Sequence, residues 1–158
     1  MDYITNKYVH KFSYPSKQIP GWSSLVDRWY QLDAPSFGLA DIYWNYKNTL
    51  TNKPGMIILA SDEGSLEIDL QFIKSFSPSK FVYTLPNVRS SALCQVTSWH
   101  CPILCIQQTP KSLESAVAEA MTWACKEYQK VWICDVKNSG ESNYLVQLIE
   151  LNYKELNE

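Results

Sequence analysis

Pro102 to Val136 reads PILCIQQTPKSLESAVAEAMTWACKEYQKVWICDV, and this stretch decides the fold. Pro102 to Gln108 is a short, largely apolar run that reads as a strand. Thr109 is a residue type strongly preferred as a helix cap, and Pro110 fits a first helical turn. Leu113, Ala116, Val117, Ala120, Met121 and Ala124 then recur at i, i+3, i+4, i+7, i+8 and i+11. That period lays one continuous apolar stripe along a helix. Val131 to Val136 is a second strand-like run. Alternation of this kind predicts a mostly parallel sheet with helices on both faces.

The same alternation extends outward. Met56 to Ala60 (MIILA) is fully apolar and reads as another buried parallel strand. Ser61 to Gly64 is a turn. Ser65 to Ser75 follows as a helix, with Leu66, Leu70 and Ile73 on one stripe, and Ser77-Pro78-Ser79 ends it. Asn87 to Trp99 reads as a further helix. Upstream, Tyr3 to Phe12 is a first strand, Ser13 to Pro20 a loop, Trp22 to Leu32 a weakly patterned aromatic stretch, and Pro35 to Leu50 a helix. Downstream, Lys137 to Asn143 reads as a polar loop and Tyr144 to Leu151 as the last strand. A seven-residue loop is too short for a parallel crossover, so the last strand is expected to pair antiparallel. The expected fold is α/β: one five-stranded, mostly parallel sheet with its last strand antiparallel.

The chain has 158 residues, which suits one domain spanning 1–158. Apolar residues make up 46%, enough for a substantial core. The formal net charge is −2, so no basic excess is available to hold a nucleic acid backbone. No run approaches the length a membrane helix needs, and Met1 to Tyr14 has no signal-peptide pattern. Cys94, Cys101, Cys105, Cys125 and Cys134 are odd in number and scattered over predicted elements, which predicts reduced thiols and a cytoplasmic location.

Few constellations carry chemistry. Cys94, His100, Cys101 and Cys105 lie close together but lack metal-knuckle spacing, so no metal is expected and the thiols read as small apolar groups. Asp62, Glu63, Glu67 and Asp69 form an acidic group beside a turn, with no nearby histidine or lysine in sequence to tune them. Charge at a helix start explains them. Trp22, Trp29, Tyr30, Trp44 and Tyr46 concentrate aromatic surface near the N-terminal helix. Core packing is the default reading and an interface the sharper one. No nucleotide-binding or hydrolase motif is present, and no cofactor is expected.

Several short motifs together resemble the N-terminal half of a β-ketoacyl synthase, one half of the thiolase fold. Ile57-Ile58-Leu59-Ala60-Ser61 is similar to that family's strand ending in a small-residue turn. Ser77-Pro78-Ser79-Lys80-Phe81 followed by Asn87 resembles a branch found with aryl-polyene and flexirubin-type pigment genes. Tyr3-Ile4-Thr5-Asn6 is like the first strand, and Cys101 to Ala124 looks like the strand, elbow and long helix. In an active synthase the elbow holds a nucleophilic cysteine at a helix N-terminus, where the dipole favours thiolate. Laying Leu113 on the family's leucine puts Thr109 at that place, preceded by Gln107 and Gln108. The paired histidines belong to the second half of the fold, and this chain carries only His10 and His100.

The resemblance therefore implies a degenerate elbow at Gln107, Gln108 and Thr109, similar to chain-length-factor subunits, many of which carry glutamine near that place. It implies a non-catalytic partner in fatty-acid, polyketide or pigment biosynthesis, pairing with a ketoacyl synthase or with itself. The seam would be the edge strand, with Ile103, Leu104, Cys105 and Ile106 at the interface. Two other readings stand beside it. One is an unusual acyl-accepting enzyme using Cys105, Cys101 or Thr109. The other is a module that binds acyl carrier protein without chemistry.

Overall fold

The computed structural model describes residues 2–62, 66–76, 85–108, 110–123 and 128–154. Five strands form one sheet: β1 (Asp2–Ser13), β2 (Met56–Ser61), β3 (Ile103–Gln107), β4 (Lys130–Gly140) and β5 (Asn143–Lys154). Their spatial order is β1-β5-β4-β2-β3. β2 pairs parallel with β3 and with β4, while β5 pairs antiparallel with β4 and with β1. Four strands thus share one direction and β5 alone opposes them, as expected. The opposing strand sits inside the sheet, between β1 and β4, and β3 lies at an edge.

Among the described residues the helices are α1 (Ala34–Tyr46), α2 (Leu66–Ser75), α3 (Ser91–Thr97) and α4 (Ser112–Trp123). Alternation along the strands sorts side chains to two faces. On the first, Ile57, Leu59, Trp132, Cys134, Val146 and Leu148 pack with Phe37 and Ile42 of α1 and Leu93 of α3. On the second, Met56, Ile58, Ala60, Val131, Ile133 and Leu151 pack with Ala116 and Ala120 of α4. Helices therefore cover both faces.

Local chemistry explains α1. Asp33 caps it, its Oδ1 accepting the Ser36 backbone N–H at 2.8 Å, and Pro35 lies in its first turn. Gly38 lets it approach β1, because a Cβ there would stand 2.6 Å from the Phe12 ring. Of the aromatic group near α1, Trp22 is wholly buried and donates its indole N–H to Asp41, whereas Tyr30 is 65% exposed. Core packing thus holds for the first and not for the last.

Several sequence expectations are corrected. Lys137 to Asn143 is not a seven-residue loop: β4 runs on to Gly140, and the hairpin turns through Glu141 and Ser142. The segment is polar because this end of the hairpin is exposed, so its strand character has no apolar signature. The helix expected over Asn87 to Trp99 is a 3-10 turn over Pro86–Ser90 followed by α3, which stops where Ser98 turns left-handed at φ 53°. The helix expected from Pro110 starts at Ser112, with the Lys111 carbonyl accepting the Ser115 N–H. Met121, assigned to the buried stripe, is 45% exposed. Leu70 and Ile73 of α2 are 50% and 58% exposed, so these two residues of the stripe do not enter either core. Thr109, Ala124, Cys125 and the Ser77–Phe81 motif lie outside the described residues.

Glu141 and Ser142 both have positive φ, 47° and 66°, the requirement of a type I′ hairpin turn. Neither side chain favours that region. Replacing the pair with Asn-Gly is expected to raise unfolding free energy by about 1 kcal/mol, read as a higher urea midpoint at unchanged slope. An unchanged or lower midpoint would contradict this account of the turn.

Candidate functional site

The C-terminal ends of β2, β3 and β4 meet the start of α4, the end of a parallel sheet where such folds place their chemistry. Asp62, directly after β2, holds this junction together. Its Oδ1 accepts the Ser112 backbone N–H at 3.1 Å and the Ser112 hydroxyl at 2.5 Å. The N-terminus of α4, the positive end of its dipole, is thereby occupied by a carboxylate from the chain itself. The cap expected at Thr109 lies outside the described residues; Asp62, 50 positions before Ser112 in sequence, accepts the Ser112 N–H.

Asp62 Oδ2 also lies 3.4 Å from Lys137 Nζ, and Lys137 Nζ lies 3.6 Å from Asp135 Oδ2. The Ser112 hydroxyl, with the Ser112 N–H and Lys137 adding to it against some burial, holds the Asp62 carboxyl below its usual range. Asp135 behaves oppositely. Its side chain is 1% exposed, and burial lifts its carboxyl to about 6, opposed by Lys137 and reinforced by the charge on Asp62. Neither Asp135 oxygen has a hydrogen-bond partner. Asp135 and Lys137 were not singled out in the sequence. The signal was available: one aspartate interrupts the apolar run Val131 to Val136.

Gln107 and Gln108, at the end of β3, are exposed, and Gln108 Oε1 accepts the Ser115 hydroxyl at 2.5 Å. Gln108 therefore ties the elbow to the first turn of α4. Arg89 Nη1 donates to Ser61 Oγ at 3.3 Å on the opposite face of β2.

Burial pushes up the pKa of Cys94, Cys101, Cys105 and Cys134, and for Cys105 the Arg89 charge only partly offsets it. An attacking cysteine needs the reverse shift. Among the described residues no three His, Cys, Asp or Glu side chains converge as a metal site. No helix among them is long and apolar enough to cross a membrane.

The four residues expected at the seam separate by face. Ile103 packs with the first core, while Leu104 and Ile106 turn under α4. Cys105 is the exposed one. The Ile57 N–H donates to the Pro102 carbonyl, and Ile57 pairs with Ile103. In a parallel ladder this register turns the backbone groups of Leu104 and Ile106 to β2, and those of Ile103, Cys105 and Gln107 outward. Among the described residues no strand pairs with that outer side.

No family model matches the sequence, and no curated protein matches it. Among solved structures, the fold is similar to a chain in the complex of the ketosynthase ApeO with its chain length factor ApeC from Xenorhabdus doucetiae. The TM-score is 0.71 at 15% sequence identity, covering 97% of this chain and 79% of that one. The fold is thiolase-like.

Asp135 binds its proton more tightly when folded (about 6) than at the ordinary aspartate value of 3.8. The stability this contributes is full below about pH 4 and is lost as pH rises through about 6. Asp135→Asn is therefore expected to stabilise the fold at pH 8 by about 3 kcal/mol, with the advantage vanishing near pH 4. Urea midpoints of both proteins across that range check it. A variant less stable than wild type at pH 8 would show that the ionised carboxylate stabilises the fold.

Proposed function

We propose that this chain is a non-catalytic ketosynthase-like subunit that pairs with a ketosynthase, or with a second copy, through the free edge of β3. The observation that carries the reading is the filled elbow. The N-terminus of α4, where a synthase of this fold presents its nucleophile, is held by the Asp62 carboxylate. A carboxylate there competes with any other anion for the helix dipole and for the Ser112 N–H. The raised thiol pKa values point the same way. The complex named in the structural comparison supports a ketosynthase as the partner class. Fatty-acid, polyketide or pigment assembly is the setting this reading implies.

The edge supports the seam. A strand bearing Ile103, Leu104 and Ile106, with no charged residue within it and no described strand on its outer side, invites pairing. Antiparallel pairing about a two-fold axis near Cys105 would satisfy its outward N–H and C=O groups.

Two measurements test the proposal. Incubation with labelled acyl thioester, followed by intact-mass analysis, is expected to give no covalent adduct. Stoichiometric acylation at Cys101, Cys105 or Thr109 would overturn the non-catalytic reading. For the seam, Cys105→Pro removes an outward N–H and leaves the β2 ladder intact, because proline is tolerated on an edge strand. Tagged wild-type protein purified from its native host is expected to carry a ketosynthase, identified by mass spectrometry, and Cys105→Pro to lose it. A wild-type preparation without ketosynthase, or a variant that retains it, would contradict the proposal.

A further inference from the structure

Lys137 stands between two carboxylates that are nearly equidistant from it and otherwise unlike. Its Nζ is 3.4 Å from Asp62 Oδ2 and 3.6 Å from Asp135 Oδ2. A closed ammonium–carboxylate contact is about 2.8 Å, so Lys137 is closed on neither. Its side chain is half-exposed on a flexible four-carbon stem, with freedom to move onto either. Asp62 is partly exposed, and its other oxygen already accepts the Ser112 N–H and hydroxyl. Asp135 is buried, and neither of its oxygens accepts a hydrogen bond.

The groups around Asp135 leave Lys137 as its cation. Ala60 of β2 lies beside it in register on one side and Gln147 of β5 on the other, and neither carries charge. Helix α4 brings Ala116 and, at its start, Ser112 to the same face. The Cys134 thiol, next along β4, is pushed up by burial and by Asp135, and stays neutral. Among the described residues the charges that act on Asp135 are those of Lys137 and Asp62. Burial opposes the charge on Lys137, but Asp135 and Asp62 more than offset it and hold the ammonium above its usual range.

We infer that Lys137 is a proton-controlled relay: it rests on Asp62 while Asp135 keeps its proton and swings to Asp135 when that proton leaves, loosening the tie between β4 and the start of α4. Burial sets the direction. Over the same distance, attraction is roughly four times stronger at a dielectric of about 20 than in water. An ionised Asp135 therefore draws the ammonium more strongly than Asp62 does, and a neutral Asp135 exerts no such pull. Asp135 holds its proton up to about 6, so Lys137 sits on Asp62 below that pH and on Asp135 above it. Asp62 stays ionised on both sides, because the Ser112 hydroxyl holds it below the usual carboxylate range. Ser112 thus keeps its cap throughout and senses the movement of Lys137.

Proton–nitrogen NMR of the whole chain, from about pH 4.5 to 8, reads the relay at the Ser112 amide and the Lys137 side chain. Both signals are expected to shift in one step with a midpoint of about 6. Asp135→Asn is expected to abolish the step and hold both signals at their low-pH positions. Lys137→Met is expected to abolish the step at Ser112 while the Asp135 carboxyl still titrates, at a higher pH because its cation is gone. This variant separates a relay from the field of Asp135 acting through space, which would leave the Ser112 step in place. No step in the wild type, a step that survives Asp135→Asn, or a Ser112 step that survives Lys137→Met would each overturn the inference. Asp62→Asn separates it from the proposed function, which uses the same cap. A Ser112 amide indifferent to Asp62→Asn would overturn both, whereas one that answers to Asp62→Asn but shows no step near pH 6 overturns the relay alone.

Discussion

The contact between Asp62 and Ser112 joins the end of β2 to the start of α4, and most of the second face depends on it. Ser112 is itself wholly buried, so its N–H and hydroxyl must find partners inside the protein. One carboxylate oxygen serves both. This fixes where α4 begins and so which of its residues reach the sheet. Ala116 and Ala120 follow one and two turns later and meet Ile58, Ile133 and their neighbours without bulk between helix and strand. The other Asp62 oxygen reaches Lys137, which draws in Asp135 and ties β4 to the same point. Three elements brought together from distant parts of the sequence are thereby joined by one short chain of polar groups.

This arrangement carries a cost that bears on function. Asp135 lies in the middle of the sheet, between Ala60 and Gln147 in register, with both carboxylate oxygens unsatisfied by hydrogen bonds. A buried carboxylate in that condition destabilises its ionised form. Asp62 and Asp135 are therefore pushed in opposite directions by their surroundings, the first by donors and the second by burial. Such a divided pair resembles an acid–base site. The reading as a non-catalytic subunit rests instead on what surrounds it: the helix terminus is already occupied, the nearest carboxylate is committed to the cap, and the described thiols are all shifted away from thiolate.

Much of the fold was legible in the sequence because β2 and the first half of β4 are buried on both faces and β3 is a largely apolar run. MIILA, ILCIQ and VWICDV stand out as apolar runs, and the stripe around Ala116 and Ala120 marked the helix between two of them. What was not legible follows from solvation and from distance. The far end of the β4–β5 hairpin is exposed, so Lys137 to Gly140 looks like loop although it is strand. The position of β5 inside the sheet depends on pairing with β1, whose partners lie up to 152 residues away. The site was only half visible. Gln107 and Gln108 could be read directly, and Asp62 was noticed as part of an acidic group. Its partners Ser112 and Lys137 could not be, because they are 50 and 75 residues further along. Of the residues expected at an interface, Ile103 to Ile106, side-chain parity turns Leu104 and Ile106 into the protein's own core.

The central claim is that the helix terminus at the elbow is filled by an ionised Asp62, with Asp135 buried behind it. Carboxyl-carbon NMR shifts, followed from pH 2 to 9 and assigned by comparison with single Asp→Asn variants, read both groups in one titration. The account predicts that Asp62 titrates below the usual aspartate range and Asp135 near 6. Two carboxyls titrating together near the ordinary value, or Asp62 titrating above Asp135, would contradict it.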